Sequence, residues 1–132
     1  MNEEVISLFA GMGAVICFVI ILLQILLVFG KPYGALTMGG KYRILPLPLR
    51  VASGISAIIL GTVGYLLLQQ TEILPKLLPF ELSRIILWAF TIFLGVNVLA
   101  NIASKSRWER IIMTPLALIL FVVCLAVSIY TS

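Results

Sequence analysis

The sequence predicts an all-α membrane protein, a single domain over residues 1–132 built as a bundle of four transmembrane helices. Three observations predict it. The chain is 62% hydrophobic with a mean hydropathy of +1.22, far more apolar than a water-soluble domain of this length. Its apolar residues fall in four blocks, about 5–29, 49–70, 82–103 and 111–130. Each is close to the roughly 20 residues that cross about 30 Å of hydrocarbon with some tilt. The nine Lys and Arg residues are also distributed unevenly between alternate connectors, as a positive-inside topology requires.

The first block, Val5 to Phe29, contains no charge, and the acidic Met1-Asn2-Glu3-Glu4 before it has no positive n-region and no cleavage-like site. It is expected to be a mature helix rather than a signal peptide. The second opens after Pro46 and Pro48, residues suited to a helix start and poor in its interior. In the third, Arg84 is expected to snorkel to the interface, with Asn97 and Asn101 accepted inside. Pro115 near the start of the fourth either begins the regular helix after Thr114 or kinks it.

Lys31, Lys41, Arg43 and Arg50 flank or occupy the first connector and Lys105, Arg107 and Arg110 the third, against Lys76 and Arg84 around the second. Both termini and the Thr71 to Glu81 connector are therefore expected outside, with the two basic connectors cytoplasmic.

The composition removes most catalytic repertoires. Histidine and aspartate are absent, and the acids are Glu3, Glu4, Glu72, Glu81 and Glu109. No Ser-His-Asp or Cys-His base, imidazole zinc site or two-metal carboxylate cluster can be assembled, so no catalytic residue, metal or cofactor is expected. Cys17 and Cys124 lie within spans and read as small apolar packing residues.

In the first connector Gly30, Pro32, Gly34, Gly39 and Gly40 make a continuous helix implausible, and Leu36, Met38, Ile44, Leu45, Leu47 and Leu49 suggest that it lies on the interface or tucks under the bundle. Gly34, Gly39, Gly40 and Pro46 are expected to shape it. Lys41, Arg43, Arg50, Arg107 and Arg110 then form either a positive-inside anchor or an anion site for a phosphate or lipid headgroup. Ser106 and Glu109 match a helix-capping box.

Gln24, Ser53, Asn97, Asn101 and Thr114 all fall toward the basic connectors, so a polar intramembrane cluster is expected in that half of the bundle. Asn97 and Asn101, four residues apart, share a helix face. Such amides serve either as interhelical glue or as ligand contacts. Small residues at Ser53, Ala57 and Gly61, facing Ala10, Gly13, Ala14 and Cys17, suggest close packing of the first two helices, or a dimer interface.

The strings GKPYGALTMGGKYRILPLPLRVASG and NIASKSRWERIIMTP resemble a small family of bacterial four-span membrane proteins. The likeness rests on Gly30, Pro32, Gly34, Gly39, Gly40, Leu45, Pro46, Arg50 and Ser53, then on Asn101, Ser104, Ser106, Glu109, Arg110 and Pro115. Met38 departs from it, where the pattern has Trp. The resemblance implies a multi-pass protein of the bacterial plasma membrane and carries no activity with it.

The leading expectation is a non-enzymatic protein that binds an anionic lipid headgroup, a lipid phosphate or a partner protein at its cytoplasmic face. Membrane lipids, a second copy or another membrane protein are the expected partners, and nucleic acid is not. A small dimeric transporter or channel is the alternative, weakened by the lack of an ionisable residue at mid-span. A lipid-modifying enzyme would have only Glu109 as an inner-face base.

Overall fold

Asn2 starts the first helix by accepting a hydrogen bond from the Val5 N–H at 2.9 Å, with Glu3 and Glu4 in the first turn, where negative charge opposes the helix dipole. The computed structural model describes residues 2–34 and 41–131. Helix α1 covers Glu3–Val28. It ends in a Schellman motif: Gly30, at φ +79°, donates to Leu27 O at 3.0 Å and Lys31 donates to Leu26 O at 3.0 Å. A left-handed residue is needed there, and glycine adopts it without a Cβ clash.

Helix α2, Leu47–Gln70, has Pro46 at its N-cap and Pro48 in its first turn, where no intrahelical N–H bond is lost. Helix α3, Phe80–Ile102, begins after Pro79. Residues Glu109–Met113 form a π-helical turn, followed by α4, Thr114–Tyr130. Thr114 donates its N–H to Glu109 O, five residues back. Pro115 therefore begins the regular helix. It has no N–H to give and would crowd the carbonyl one turn earlier, so the wide turn occupies the preceding residues.

All four helices are long and apolar enough to cross a membrane, and among the described residues there is no strand. The outward surface is apolar throughout its middle, with Leu8 71%, Phe18 60% and Ile58 72% exposed. Such a surface requires a hydrocarbon solvent. The core is a stripe from every helix, including Ala10 and Cys17, Leu66 and Leu67, Leu87, and Leu120 and Cys124. Both cysteines are buried and unbridged, as packing residues should be.

Helices α1 and α2 pack most extensively, with α4 on the other side of α1 and α3 on α4. The close packing of α1 and α2 is as expected, but on α2 the nearest glycine approach is at Gly64, outside the expected Ser53, Ala57 and Gly61 set. A Cβ on Gly64 would touch Cys17 Cβ at 3.5 Å, and one on Gly61 would reach Ile21 at 4.0 Å. Gly13 sits where three helices meet, since a Cβ there would lie 2.6 Å from Val123 Cγ1 and 2.9 Å from Leu67 Cδ1. By contrast α2 and α3 meet only lightly. One end of the bundle carries the basic connectors and the other carries the chain termini with the 71–79 connector; these are termed the basic and terminal ends.

Candidate functional site

The gap between α2 and α3 is closed at the terminal end by Gln69. This fully buried side chain donates to Ser83 Oγ at 2.9 Å and Leu78 O at 3.1 Å, and it accepts from the N–H groups of Leu77 and Leu78 at 3.0 and 3.2 Å. One amide thus holds the end of α2, the connector and the start of α3 together. Tyr65 adds a bond to Pro75 O at 2.7 Å. Deeper in, Thr91 donates to Leu87 O at 2.7 Å and meets Ser128 Oγ at 3.4 Å, joining α3 to α4. The bundle thus has a second set of intramembrane polar groups, which sequence reasoning did not single out. Gln69, Gln70, Ser83, Thr91 and Ser128 are all buried in the terminal half. In sequence Gln69 and Gln70 stand at a helix end, where polar residues normally face the interface.

Toward the basic end the same gap opens into a chamber of about 470 Å³. Gln24 from α1, Ser56 from α2, Asn97 and Asn101 from α3, then Ser104 and Glu109 supply its polar lining, over apolar walls that include Ile20, Phe93 and Leu120. Asn101 is 7% exposed and Glu109 6%. The side-chain amides of Gln24, Asn97 and Asn101 have no hydrogen-bond partner among the described residues. Each can both donate and accept; Gln24 and Asn97 are half-buried, while for the buried Asn101 leaving such a group unpaired costs about 1–3 kcal/mol. A polar occupant offering partners is correspondingly favoured.

The chamber runs into a second cavity of about 430 Å³ higher in the same gap, with Ile59, Phe90 and Phe93 lining both. This upper part is almost wholly apolar, lined by Ile58, Thr62, Val63, Ile86 and Ala89 as well. Ile58, Ile59, Thr62, Ala89 and Phe93 are exposed, so it opens sideways onto the apolar surface. The whole is one crevice, almost wholly apolar and open sideways near the middle of the bundle, and less open with a polar patch in its lining near the basic end.

Of the expected polar cluster, Gln24, Asn97 and Asn101 are brought together in the chamber. Ser53 is fully buried and Thr114 half-buried, but neither lines it, and Ser56 takes the place in α2. The hydroxyl oxygens of Ser53 and Thr114 have no partner among the described residues.

None of the basic residues expected at an anion site lines the chamber. Arg50 donates from Nε to Val28 O at 2.9 Å, and its guanidinium lies 3.3 Å from where a Gly30 Cβ would be, so it caps the end of α1. Arg110 donates to Ser104 O at 2.6 Å from an exposed position, and Lys41, Arg43 and Arg107 are exposed at the same end. Of the loop-shaping residues, Gly34 donates to Arg43 O at 2.8 Å, and a Cβ there would collide with the Tyr42 carbonyl. Leu45 tucks beneath the bundle at 2% exposure, while Ile44 and Leu47 remain outside. Leu36, Met38, Gly39 and Gly40 lie outside the described residues.

The third connector is knit tightly. Ser106 Oγ accepts from the Glu109 N–H at 3.3 Å, the forward half of the capping box, and Ser104 Oγ accepts from the Ser106 N–H at 3.1 Å. Among the described residues no group of three His, Cys, Asp or Glu lies together as a metal site. Comparison with protein families, curated proteins and solved structures finds no match to this chain.

Proposed function

We propose that this chain is a non-enzymatic lipid-binding protein of the bacterial plasma membrane, holding one lipid of the cytoplasmic leaflet in the α2/α3 crevice. The observation that carries the reading is the continuity of a chamber that carries a cluster of polar side chains with a lateral, almost wholly apolar groove. Amphiphiles have this polarity profile, and each part falls within the 300–1,000 Å³ typical of small-molecule sites. A headgroup would satisfy the chamber amides, while a chain in the groove replaces bilayer contacts with protein contacts. The exposed cations at the same end favour placing it against an anionic cytoplasmic leaflet, with both termini outside.

Transport has less support, because beyond Phe93 the crevice lining is almost wholly apolar. A headgroup moving farther would leave its polar partners behind.

Native mass spectrometry of the protein extracted in mild detergent from bacterial membranes tests the proposal. About one retained lipid per chain is expected, with at least a tenfold loss on Ala89→Trp, which fills the groove from an exposed position, and on Asn101→Leu. Equal retention by folded wild type and both variants would overturn it.

A further inference from the structure

The order of chemical groups along the crevice points to a headgroup class. From the groove, the walls run through Ile59 and Phe93 to Ser56 and Asn97, then Gln24 and Asn101, and finally Ser104 and Glu109. The uncharged hydrogen-bonding groups are thus in the middle, and the single carboxylate is farthest from the apolar groove. Asn97 and Asn101 lie one turn apart on α3, so their amides form a ladder along the crevice rather than a single contact point. Glu109 is 6% exposed and held in place by the π-helical turn and the Ser106 bond to its N–H.

Positive charge takes the complementary position. Arg110 is fastened to Ser104 O outside the chamber, Arg107 is exposed beside it, and no Lys or Arg enters the lining. The chamber interior is therefore neutral to negative inside a positive surround. A purely anionic headgroup entering it would bring its charge toward a buried carboxylate, and like charges at that depth are strongly disfavoured. A headgroup ending in an ammonium group fits the sequence of partners. Its phosphate and ester oxygens accept from the amide N–H groups, and its terminal N–H donors meet the carboxylate. Two carboxylate oxygens offer about four acceptor directions, so bonding within the protein and bonding to a ligand are compatible. Hydrogen bonds between ammonium and carboxylate are short and about twice as strong as neutral ones.

We infer that the lipid taken by this crevice is a zwitterionic aminophospholipid with a primary amine, of the phosphoethanolamine type, selected by Glu109. The inference rests on the lipid-binding reading above. It specifies an N–H donor as well as a positive charge, so a trimethylated amine should be discriminated against despite carrying the same charge.

The test uses the full chain in nanodiscs or detergent, with competing phosphatidylethanolamine, phosphatidylcholine and phosphatidylglycerol of identical acyl chains, read by native mass spectrometry. Wild type should prefer phosphatidylethanolamine over each competitor at least tenfold. Glu109→Gln, which keeps a capping side chain of the same length, should bring the preference over phosphatidylglycerol to within about threefold while total lipid retention persists. Ala89→Trp should reduce all three lipids together. A preference unchanged by Glu109→Gln, or wild-type preference for phosphatidylglycerol, overturns the amine assignment and leaves lipid binding standing. Retention of every lipid at the level of Ala89→Trp overturns the lipid-binding reading itself.

Discussion

Replacing Gln69 with leucine leaves the shape of α2 almost unchanged and removes the junction at the terminal end. Four bonds of 3.2 Å or less are lost, to Ser83 Oγ and Leu78 O and from the N–H groups of Leu77 and Leu78. Buried polar contacts in membrane proteins average about 0.6 kcal/mol each, and about 1 kcal/mol is typical in soluble proteins. Four of them give about 2–4 kcal/mol. Its neighbour provides the control. Gln70 is also buried, but among the described residues its only side-chain bond is the 3.4 Å contact from Gln69, and its Nε2 has no partner. Gln70→Leu should therefore cost less than about 1 kcal/mol, and removing an unsatisfied donor can offset even that. Reversible unfolding in mixed micelles, followed by the fluorescence of Trp88 and Trp108, measures both. A Gln69→Leu loss below about 0.5 kcal/mol, or one equal to that of Gln70→Leu, would refute the reasoning.

Two further predictions follow from packing and topology. Gly13→Ala places a methyl 2.6 Å from Val123 Cγ1 and should destabilise by about 1–3 kcal/mol, whereas Gly11→Ala meets nothing within 4 Å and should be neutral or gain up to about 1 kcal/mol from helix propensity. Thermal unfolding of the two variants in one detergent distinguishes them, and equal midpoints would contradict the placement of α1 against α4. For orientation, Leu77→Cys and Lys105→Cys place exposed thiols at opposite ends, against a background of two buried cysteines. A membrane-impermeant maleimide on intact cells should modify the first and reach the second only after lysis; the reverse pattern inverts the proposed topology.

The four helices were legible because each apolar block matches the length that hydrocarbon demands, and Pro46, Pro48 and Pro115 mark starts, the positions where a helix tolerates a residue without an N–H. The shared face of Asn97 and Asn101 was also legible, since spacing alone determines it, and it gave two of the six polar residues that line the chamber. The bond from Arg50 to Val28 O could not be read, because it joins residues 22 apart and depends on how the chain turns after Gly30. Nor could the role of Gln69. A glutamine at the end of an apolar block has the same local pattern whether it faces water or three backbone groups of the next connector. The α2/α3 gap itself is a property of unequal packing, and hydropathy does not encode which neighbouring pair stays apart.

The Gln69 junction also makes the crevice a lever. Helices α2 and α3 are joined at one end, and from Gln69 to Ser56 the distance along α2 is roughly 20 Å at about 1.5 Å per residue. A swing of about 5° about that junction changes the spacing beside Asn97 by nearly 2 Å, comparable with the difference between an ammonium and its trimethylated form. Tweezers behave in the same way, with the grip determined at the closed end. On the proposed lipid-binding reading, the width of the crevice near the basic loops is thus set by an amide at the far end of the bundle.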